Sequence, residues 1–120
     1  MSYTASPGQP ASINLKLMKN DTWELVFTLT DSAGSAFDVS GATFLCQFRT
    51  NVSDASTVKD FTAGYFTISG VGNNIVTLLV PKAETNISGP YHYDIECTYV
   101  NTKTQTLIKG MVYVTADVTQ

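Results

Sequence analysis

An alternation of apolar and polar side chains with a period of two is the feature of this sequence that most restricts its fold. Its clearest instance lies between Tyr91 and Val100, where the apolar set is Tyr91, Tyr93, Ile95, Cys97 and Tyr99. A second instance, Thr22–Thr30, has the apolar set Trp23, Leu25, Phe27 and Leu29. Successive side chains of a β-strand point to opposite faces, so both segments are predicted to be strands with one buried face. The four apolar residues of the second segment are expected to anchor the core.

Short strands separated by turn-forming residues account for most of the remaining chain. We predict them over residues 13–18, 43–50, 58–62, 65–69 and 75–80, and a last one within 105–118. Glycine, Asn, Asp and Ser stand between them and favour turns. Seven or eight short strands with almost no helix are typical of an all-β sandwich or a small barrel.

Three segments depart from the simple strand pattern. Residues 1–12 contain Pro7 and Pro10 among small polar residues, which predicts a flexible N-terminal arm before a single β-sandwich domain over 13–120. The segment near 81–88 has slight helical character and is predicted to be a short helical crossover. In the last strand Leu107 and Ile108 belong to opposite phases, and a β-bulge at Gly110 would reconcile them.

Composition excludes two classes of function. The seven Lys and Arg residues are scattered and the net charge is −3, so binding to nucleic-acid phosphates is not expected. No apolar run is long enough to cross a membrane, and the first residues lack the basic and apolar regions of a secretion signal. We therefore expect a protein that associates with neither a membrane nor nucleic acid.

The two cysteines, Cys46 and Cys97, allow two interpretations. They could form a disulfide that joins two sheets, as in immunoglobulin domains, or they could be buried thiols of a protein made in a reducing cytoplasm. The second interpretation is favoured because no secretion signal is visible. Trp23 also precedes Cys46, whereas immunoglobulin domains place a Trp after the first Cys.

Catalytic and cofactor signatures are missing from the sequence. The only histidine, His92, shares a predicted strand face with Asp94 and Glu96, which could hold a metal but more simply form a solvated outer face. No metal-ligand spacing, phosphate-binding glycine loop or nucleophile elbow is present. We predict a protein that is not an enzyme, with no catalytic residues, no cofactor and no metal.

Aromatic residues are the remaining candidates for contact with a partner. Six Tyr and six Phe could build a sugar-binding platform, but most of them fall on predicted core faces. Tyr3, Tyr65 and Tyr113 are the ones whose positions leave exposure open, and we predict them as possible partner contacts.

The order of these signals resembles a family of bacteriophage virion modules, the immunoglobulin-like N-terminal domains of baseplate upper proteins and related tail or fibre components. The first half carries the resemblance in Asp21–Trp23, Asp31, Gly34, Asp38, Ser40–Thr43 and Arg49. The second half carries it in Pro81, Gly89–Asp94, Thr106, Leu107, Gly110, Val114 and Asp117–Thr119. A glycine at 89 can adopt an unusual φ, and Tyr91 can bond back to the crossover as in a tyrosine corner.

The resemblance implies an immunoglobulin-like antiparallel β-sandwich of seven to eight strands. It also implies a virion structural protein that docks or oligomerises on the particle, as a tail, baseplate or fibre adaptor or as a capsid decoration. Its partners would be other virion proteins and further copies of itself, and it would be made in the cytoplasm of the bacterial host. Because the sequence ends at Gln120 without a fibrous part, we expect a small standalone virion protein or a fragment of a longer one. The alternative is a carbohydrate- or cell-surface-binding β-sandwich module.

Overall fold

The computed structural model describes residues 2–6 and 10–115, and within them the chain forms ten β-strands in two sheets. The strands are β1 (Ser2–Ala5), β2 (Ala11–Ser12), β3 (Leu15–Met18), β4 (Trp23–Leu29), β5 (Thr43–Arg49), β6 (Lys59–Phe61), β7 (Phe66–Ser69), β8 (Ile75–Val80), β9 (Gly89–Thr98) and β10 (Thr104–Thr115). One sheet has the order β1-β4-β8-β7. The other has the order β2-β10-β9-β5-β6, with β3 also paired to β10.

The core lies between the two sheets and is built from the alternating faces that the sequence predicted. All four apolar residues of β4 are buried, as are Tyr93, Ile95 and Cys97 on β9. Aromatic rings join the sheets: Trp23 of β4 stacks on Phe48 of β5 with ring centroids 6.2 Å apart, and Phe44 of β5 contacts Phe66 of β7 at 5.5 Å. The predicted all-β sandwich is confirmed.

The N-terminal segment differs from the predicted flexible arm. Strand β1 pairs in parallel with β4, and β2 pairs in parallel with β10. Ala5 is buried, and its carbonyl accepts a hydrogen bond from the Thr30 amide at 3.0 Å. The edge of β4 carries backbone N–H and C=O groups that need hydrogen-bond partners, and the short N-terminal segment supplies them. The composition of that segment alone does not predict this pairing, because the edge belongs to a different part of the sequence.

Strand number and direction also differ in detail from the expected seven to eight antiparallel strands. The additional strands arise because β1 and β2 form from the N-terminal segment and because β2 and β3 are separated by Ile13 and Asn14. Both β2 and β3 run parallel to β10, as β1 does to β4, whereas the other pairings are antiparallel.

The crossover before β9 contains a single 3-10 turn, Lys82–Glu84, and the described residues contain no α-helix. After this turn Thr85 is fully buried, and its hydroxyl donates to the Asp21 carbonyl at 2.7 Å. The start of β9 has the geometry that the sequence predicted: Gly89 has a φ of 121°, and the Tyr91 hydroxyl donates to the Ser88 carbonyl at 2.7 Å. This bond fixes the corner through which the chain enters β9.

The β-bulge of the last strand lies at Leu107 and not at Gly110. The pairing of β10 with β9 shifts between Thr106 and Ile108, so Leu107 and Ile108 are both buried. Gly110 has another role. A Cβ atom at this position would lie 2.3 Å from the Ile13 carbonyl oxygen, so only glycine lets the N-terminal segment approach β10 this closely.

The two cysteines lie on neighbouring strands of the same sheet. Cys46 of β5 is opposite Ile95 of β9, and Cys97 of β9 is opposite Phe44 of β5. Both thiols are buried and free. They therefore cannot join the two sheets, and their diagonal placement is wider than the Cβ separation of a disulfide.

Candidate docking surfaces

The three tyrosines predicted as partner contacts lie in different environments. Tyr3 is half-buried on β1 and stacks on Phe27 of the core, with ring centroids 5.6 Å apart, and burial raises its pKa. Tyr65 is half-buried at the end of the 3-10 turn Ala63–Tyr65 and makes an edge contact with Phe61 at 5.4 Å. Of the three, only Tyr113 is exposed. It is 39% exposed on the outer face of β10, between Lys16 of β3 and Pro90 of β9.

A second exposed region lies at the end of the sandwich where three loops meet. The Val39 amide of the β4–β5 loop donates to the Asn73 carbonyl of the β7–β8 loop at 3.0 Å. Val100, at the start of the β9–β10 loop, packs close to Gly41. Val100 is 73% exposed, and Val71 is fully exposed at the tip of the β7–β8 loop. We call this region the loop end.

The loop end contains a depression of about 530 Å³ between the β4–β5 and β9–β10 loops. Phe37 and Tyr99 form part of its lining and contact each other with ring centroids 6.0 Å apart. The Tyr99 hydroxyl donates to Gln105 Oε1 at 2.9 Å, and burial is the main cause that raises the Tyr99 pKa to about 12. Sequence analysis missed this region, although a valine between two glycines, Val71, was a visible signal.

The outer face of the six-stranded sheet carries a second depression, of about 430 Å³, which we call the outer-face pocket. It is lined by residues from four strands and their connections: Ser12, Asn14, Arg49, Val52, His92, Tyr93, Asp94, Lys109, Gly110 and Met111. Strand pairing explains why these side chains meet. Lys109, Asp94 and Gln47 are neighbours in one row across β10, β9 and β5, and Met111, His92 and Arg49 are neighbours in the next.

Arg49 organises one side of this pocket. Its Nε donates to the Asp54 carbonyl at 3.1 Å, and its Nη2 donates to Gln47 Oε1 at 2.9 Å. Its Nη1 lies 4.0 Å from Asp94 Oδ2. Burial raises the pKa of the Asp94 carboxyl, and the nearby Arg49 charge opposes this shift.

The alternative metal interpretation of His92, Asp94 and Glu96 gains no support from the geometry. The three residues are half-buried on the outer face of β9. Across the described ranges 2–6 and 10–115, no group of three or more His, Cys, Asp or Glu side chains is arranged to hold a metal ion. In the same part of the chain, no helix is long and apolar enough to cross a membrane.

The topology defines an immunoglobulin-like β-sandwich module of two sheets, with two depressions on its surface. No protein-family model matches the sequence, and no curated protein is significantly similar to it in sequence. Among solved structures, the chain is similar to the N-terminal domain of phage TP901-1 ORF48, with a TM-score of 0.60 and 10% sequence identity over 96% of this chain and 99% of that domain. It also matches the fibronectin(III)-like modules of Clostridium thermocellum CbhA, with a TM-score of 0.44 and 11% identity over 93% of this chain and 96% of that one.

Proposed function

We propose that this protein is a non-enzymatic structural component of a bacteriophage virion that docks onto other virion proteins. The observation that carries the proposal is the similarity in fold to the N-terminal domain of a phage protein, which covers 96% of this chain and 99% of that domain. The independent resemblance of the sequence landmarks, from Asp21–Trp23 to Gly89–Asp94, points to the same class of protein.

Two surfaces of the sandwich support a docking role. The loop end presents Val71 and Val100 to solvent beside a depression lined by aromatic rings. The outer-face pocket combines polar groups with Val52, which is 75% exposed. Exposed apolar side chains next to depressions and polar rims are typical of protein interaction sites. Charged residues make up only 14% of the chain, which suits faces that meet other proteins.

Deletion of the gene from the phage genome tests the proposal. Purified wild-type particles are expected to contain the chain by mass spectrometry, and particles from the deletion phage are expected to lack a defined density in a cryo-electron microscopy reconstruction. The position of that density would identify the site on the capsid, neck, tail or baseplate. Wild-type particles from which the chain is absent would contradict a virion role.

We also propose that the protein forms a homo-oligomer, because virion lattices are symmetric and a module that docks on them commonly follows their symmetry. Size-exclusion chromatography with light scattering measures this directly. A mass above that of the 13.0 kDa single chain is the expected result. A monomer at all concentrations would instead favour a single docked copy for each site.

A carbohydrate- or cell-surface-binding module is the second candidate, favoured by the aromatic pair Phe37 and Tyr99 in the loop-end depression. Aromatic faces commonly stack on sugar rings. A glycan array probed with the purified protein tests it. Saturable binding that is lost in Tyr99→Ala but kept in Tyr65→Ala and Tyr113→Ala would place the sugar in the loop-end depression. Loss in Tyr65→Ala or Tyr113→Ala would instead place it on the tyrosines predicted as partner contacts, and the absence of binding would leave the docking proposal.

A further inference from the structure

The outer face of the four-stranded sheet carries almost no charge. Two side chains each from β1 and β7 and three each from β4 and β8 point away from the core, and together we call them the four-stranded face. Of these ten side chains only Glu24 is charged. The outer face of the six-stranded sheet carries six charged side chains: Lys16, Arg49, Asp60, Asp94, Glu96 and Lys109. Depletion of charged residues marks the central part of protein interfaces, so the four-stranded face is a candidate for contact with protein.

Hydroxyl side chains make up most of the four-stranded face. They are Ser2, Thr4, Thr28, Thr67, Ser69 and Thr77. At the centre of the face Val26 of β4 is opposite Thr77 of β8. In the next row Thr28 is opposite Ile75. Glu24 lies towards the other end of β4, so the centre of the face presents hydroxyl and methyl groups and no charge.

A face of this composition is complementary to a second copy of itself. A hydroxyl group both donates and accepts hydrogen bonds, so two identical surfaces rich in hydroxyl groups can satisfy each other. Two-fold symmetry brings one surface patch against the same patch of the partner copy, as such a contact requires. Contacts between different proteins are commonly steered by complementary charges, which this face lacks.

The charge of the whole chain restricts where two copies can meet. The net charge is −3, so two copies repel each other at long range. Like charges that face each other across an interface add to this repulsion. The four-stranded face keeps every charged side chain except Glu24 away from the contact, and it is therefore the face on which two copies repel each other least.

The size of the four-stranded face suits a weak, reversible dimer. Strands lie about 4.8 Å apart and rise about 3.4 Å per residue, so four strands, of which the inner two have six or seven residues, cover about 19 by 20 Å. This is on the order of 400 Å² from each copy before the relief of the side chains is added, at the low end of specific interfaces. Docking on a shared lattice would raise the local concentration of the copies and favour their contact.

We propose that two copies of this chain associate through their four-stranded faces, packed sheet against sheet about a two-fold axis. This inference rests on the proposed function, and it adds to the proposed homo-oligomer the face through which the copies meet. The outer-face pocket and the loop end stay accessible in this arrangement for contact with other virion proteins.

Sedimentation velocity over a series of protein concentrations tests the inference. Wild-type protein is expected to shift from monomer to dimer as the concentration rises. Thr77→Lys puts a positive charge at the centre of the face and is expected to raise the dimer dissociation constant at least about tenfold. Thr106→Lys is the matched control, since Thr106 lies opposite Glu96 on the outer face of the six-stranded sheet, and it is expected to dimerise like the wild type. Thermal denaturation checks that both variants fold.

Cross-linking through an introduced cysteine provides a second measurement that does not depend on the folding of Thr77→Lys. Cys46 and Cys97 are buried and the sequence contains no other cysteine, so a new thiol on the surface is the accessible one. Thr28→Cys is expected to give a covalent dimer with a short bismaleimide. Thr106→Cys is expected to remain monomeric under the same conditions.

The outcomes separate this inference from the proposed function. Wild-type protein that stays monomeric at every concentration would overturn the inference, as would a dimer that neither Thr77→Lys weakens nor Thr28→Cys cross-links. Monomeric wild-type protein that binds to particles assembled without this chain, where Thr77→Lys does not bind, would assign the face to another virion protein. Absence of the chain from native particles would contradict the virion role and leave the dimer measurement unaffected.

Discussion

The hydroxyl of Tyr93 donates a hydrogen bond to the carbonyl of Ile13, 2.6 Å away and separated from it by 80 positions in the sequence. The bond connects the middle of β9 to the two residues between β2 and β3, Ile13 and Asn14, which we call the joint. The Ile13 amide donates to the Lys109 carbonyl at 2.9 Å, and Asn14 Oδ1 accepts from the Met111 amide at 3.1 Å. The joint is therefore held by hydrogen bonds to two strands, although it belongs to neither β2 nor β3.

Removal of this hydroxyl tests how much the joint contributes to stability. Tyr93→Phe is expected to lower the free energy of unfolding by about 1–2 kcal/mol, because the Ile13 carbonyl loses a donor at a site with little access to water. Urea denaturation followed by Trp23 fluorescence measures the change. Tyr91→Phe is the matched control, since its exposed bond to Ser88 should be worth only about 0.5 kcal/mol. Equal losses in the two variants would show that the joint has no special role.

Close packing at Gly110 gives a second prediction. Gly110→Ala is expected to lower the free energy of unfolding by at least about 2 kcal/mol, because the new Cβ would lie 2.3 Å from the Ile13 carbonyl oxygen and the backbone must shift. Gly64→Ala is the control, since a Cβ at position 64 meets nothing within 4 Å, and its effect should stay within about 0.5 kcal/mol. Thermal denaturation of the two purified variants distinguishes them, and a neutral Gly110→Ala would mean that β2 and β3 can separate from β10 without cost.

The predictions from sequence succeeded where the information is local. Alternation gave β4 and β9 and their buried residues, and Gly89 followed by Tyr91 indicated the corner that the structure contains. Local patterns did not predict that β1 pairs with β4. The edge of the sheet that β1 completes is formed by residues more than 20 positions away, and nothing in the N-terminal sequence indicates that edge. Local patterns also predicted the bulge at Gly110, because glycine is common at bulges, whereas the bulge lies at Leu107. Gly110 instead leaves room for the backbone carbonyl of Ile13.

The candidate site was harder to predict than the fold. His92, Asp94 and Glu96 were correctly assigned to one outer face, but alternation alone does not show which neighbouring strands supply Arg49 and Lys109. The placement of Arg49 and Lys109 on either side of Asp94 depends on the pairing of three strands, and it is set by strand register. Tyr3 was a candidate for contact because its position in the sequence left exposure open, whereas its ring stacks on Phe27.

Strand β1 gives a third prediction. Tyr3→Ala is expected to lower the free energy of unfolding by about 1.5–3 kcal/mol, since it removes both buried apolar area and a stacked aromatic pair. Tyr113→Ala, on the outer face, should cost about 1 kcal/mol or less. Chemical denaturation of both variants provides the comparison. If Tyr3→Ala were the milder of the two, the N-terminal residues would be a flexible arm in solution, as the sequence alone predicted.

The cysteines give a fourth prediction, about reactivity. Both thiols are buried, and burial raises the pKa of each, that of Cys97 to about 11. Since the thiolate is the reactive form, neither cysteine should react with Ellman's reagent in the native protein at pH 8, and both should react in urea. The intact mass should show two free thiols even after aerobic purification. A mass lower by two hydrogens would reveal a disulfide and contradict the arrangement of Cys46 and Cys97 on β5 and β9.

The same groups make stability depend on alkaline pH, and the direction follows from linkage. Burial is the main cause that raises the pKa of Cys46, Cys97, Tyr93 and Tyr99 in the folded protein, with Cys97 moving from its ordinary value of 9.0 to about 11 and Tyr99 from 10.0 to about 12. The unfolded chain releases these protons at the ordinary values, so above about pH 9 it binds fewer protons than the native state. The stability contributed by the protonated groups is complete below that pH and is lost as the pH rises through the native values.

We therefore expect the urea midpoint to be nearly constant from pH 7 to pH 8 and to fall steadily between about pH 9 and pH 12. Cys97→Ala removes one of the four groups. Its midpoint at pH 7 is expected to be lower because of the cavity, but its decline from pH 9 to pH 11 is expected to be shallower. The slope, and not the starting level, is the quantity to compare. An identical slope in the variant would mean that Cys97 ionises as easily in the folded protein as in the unfolded chain, and that the thiol is not buried in the core between the two sheets.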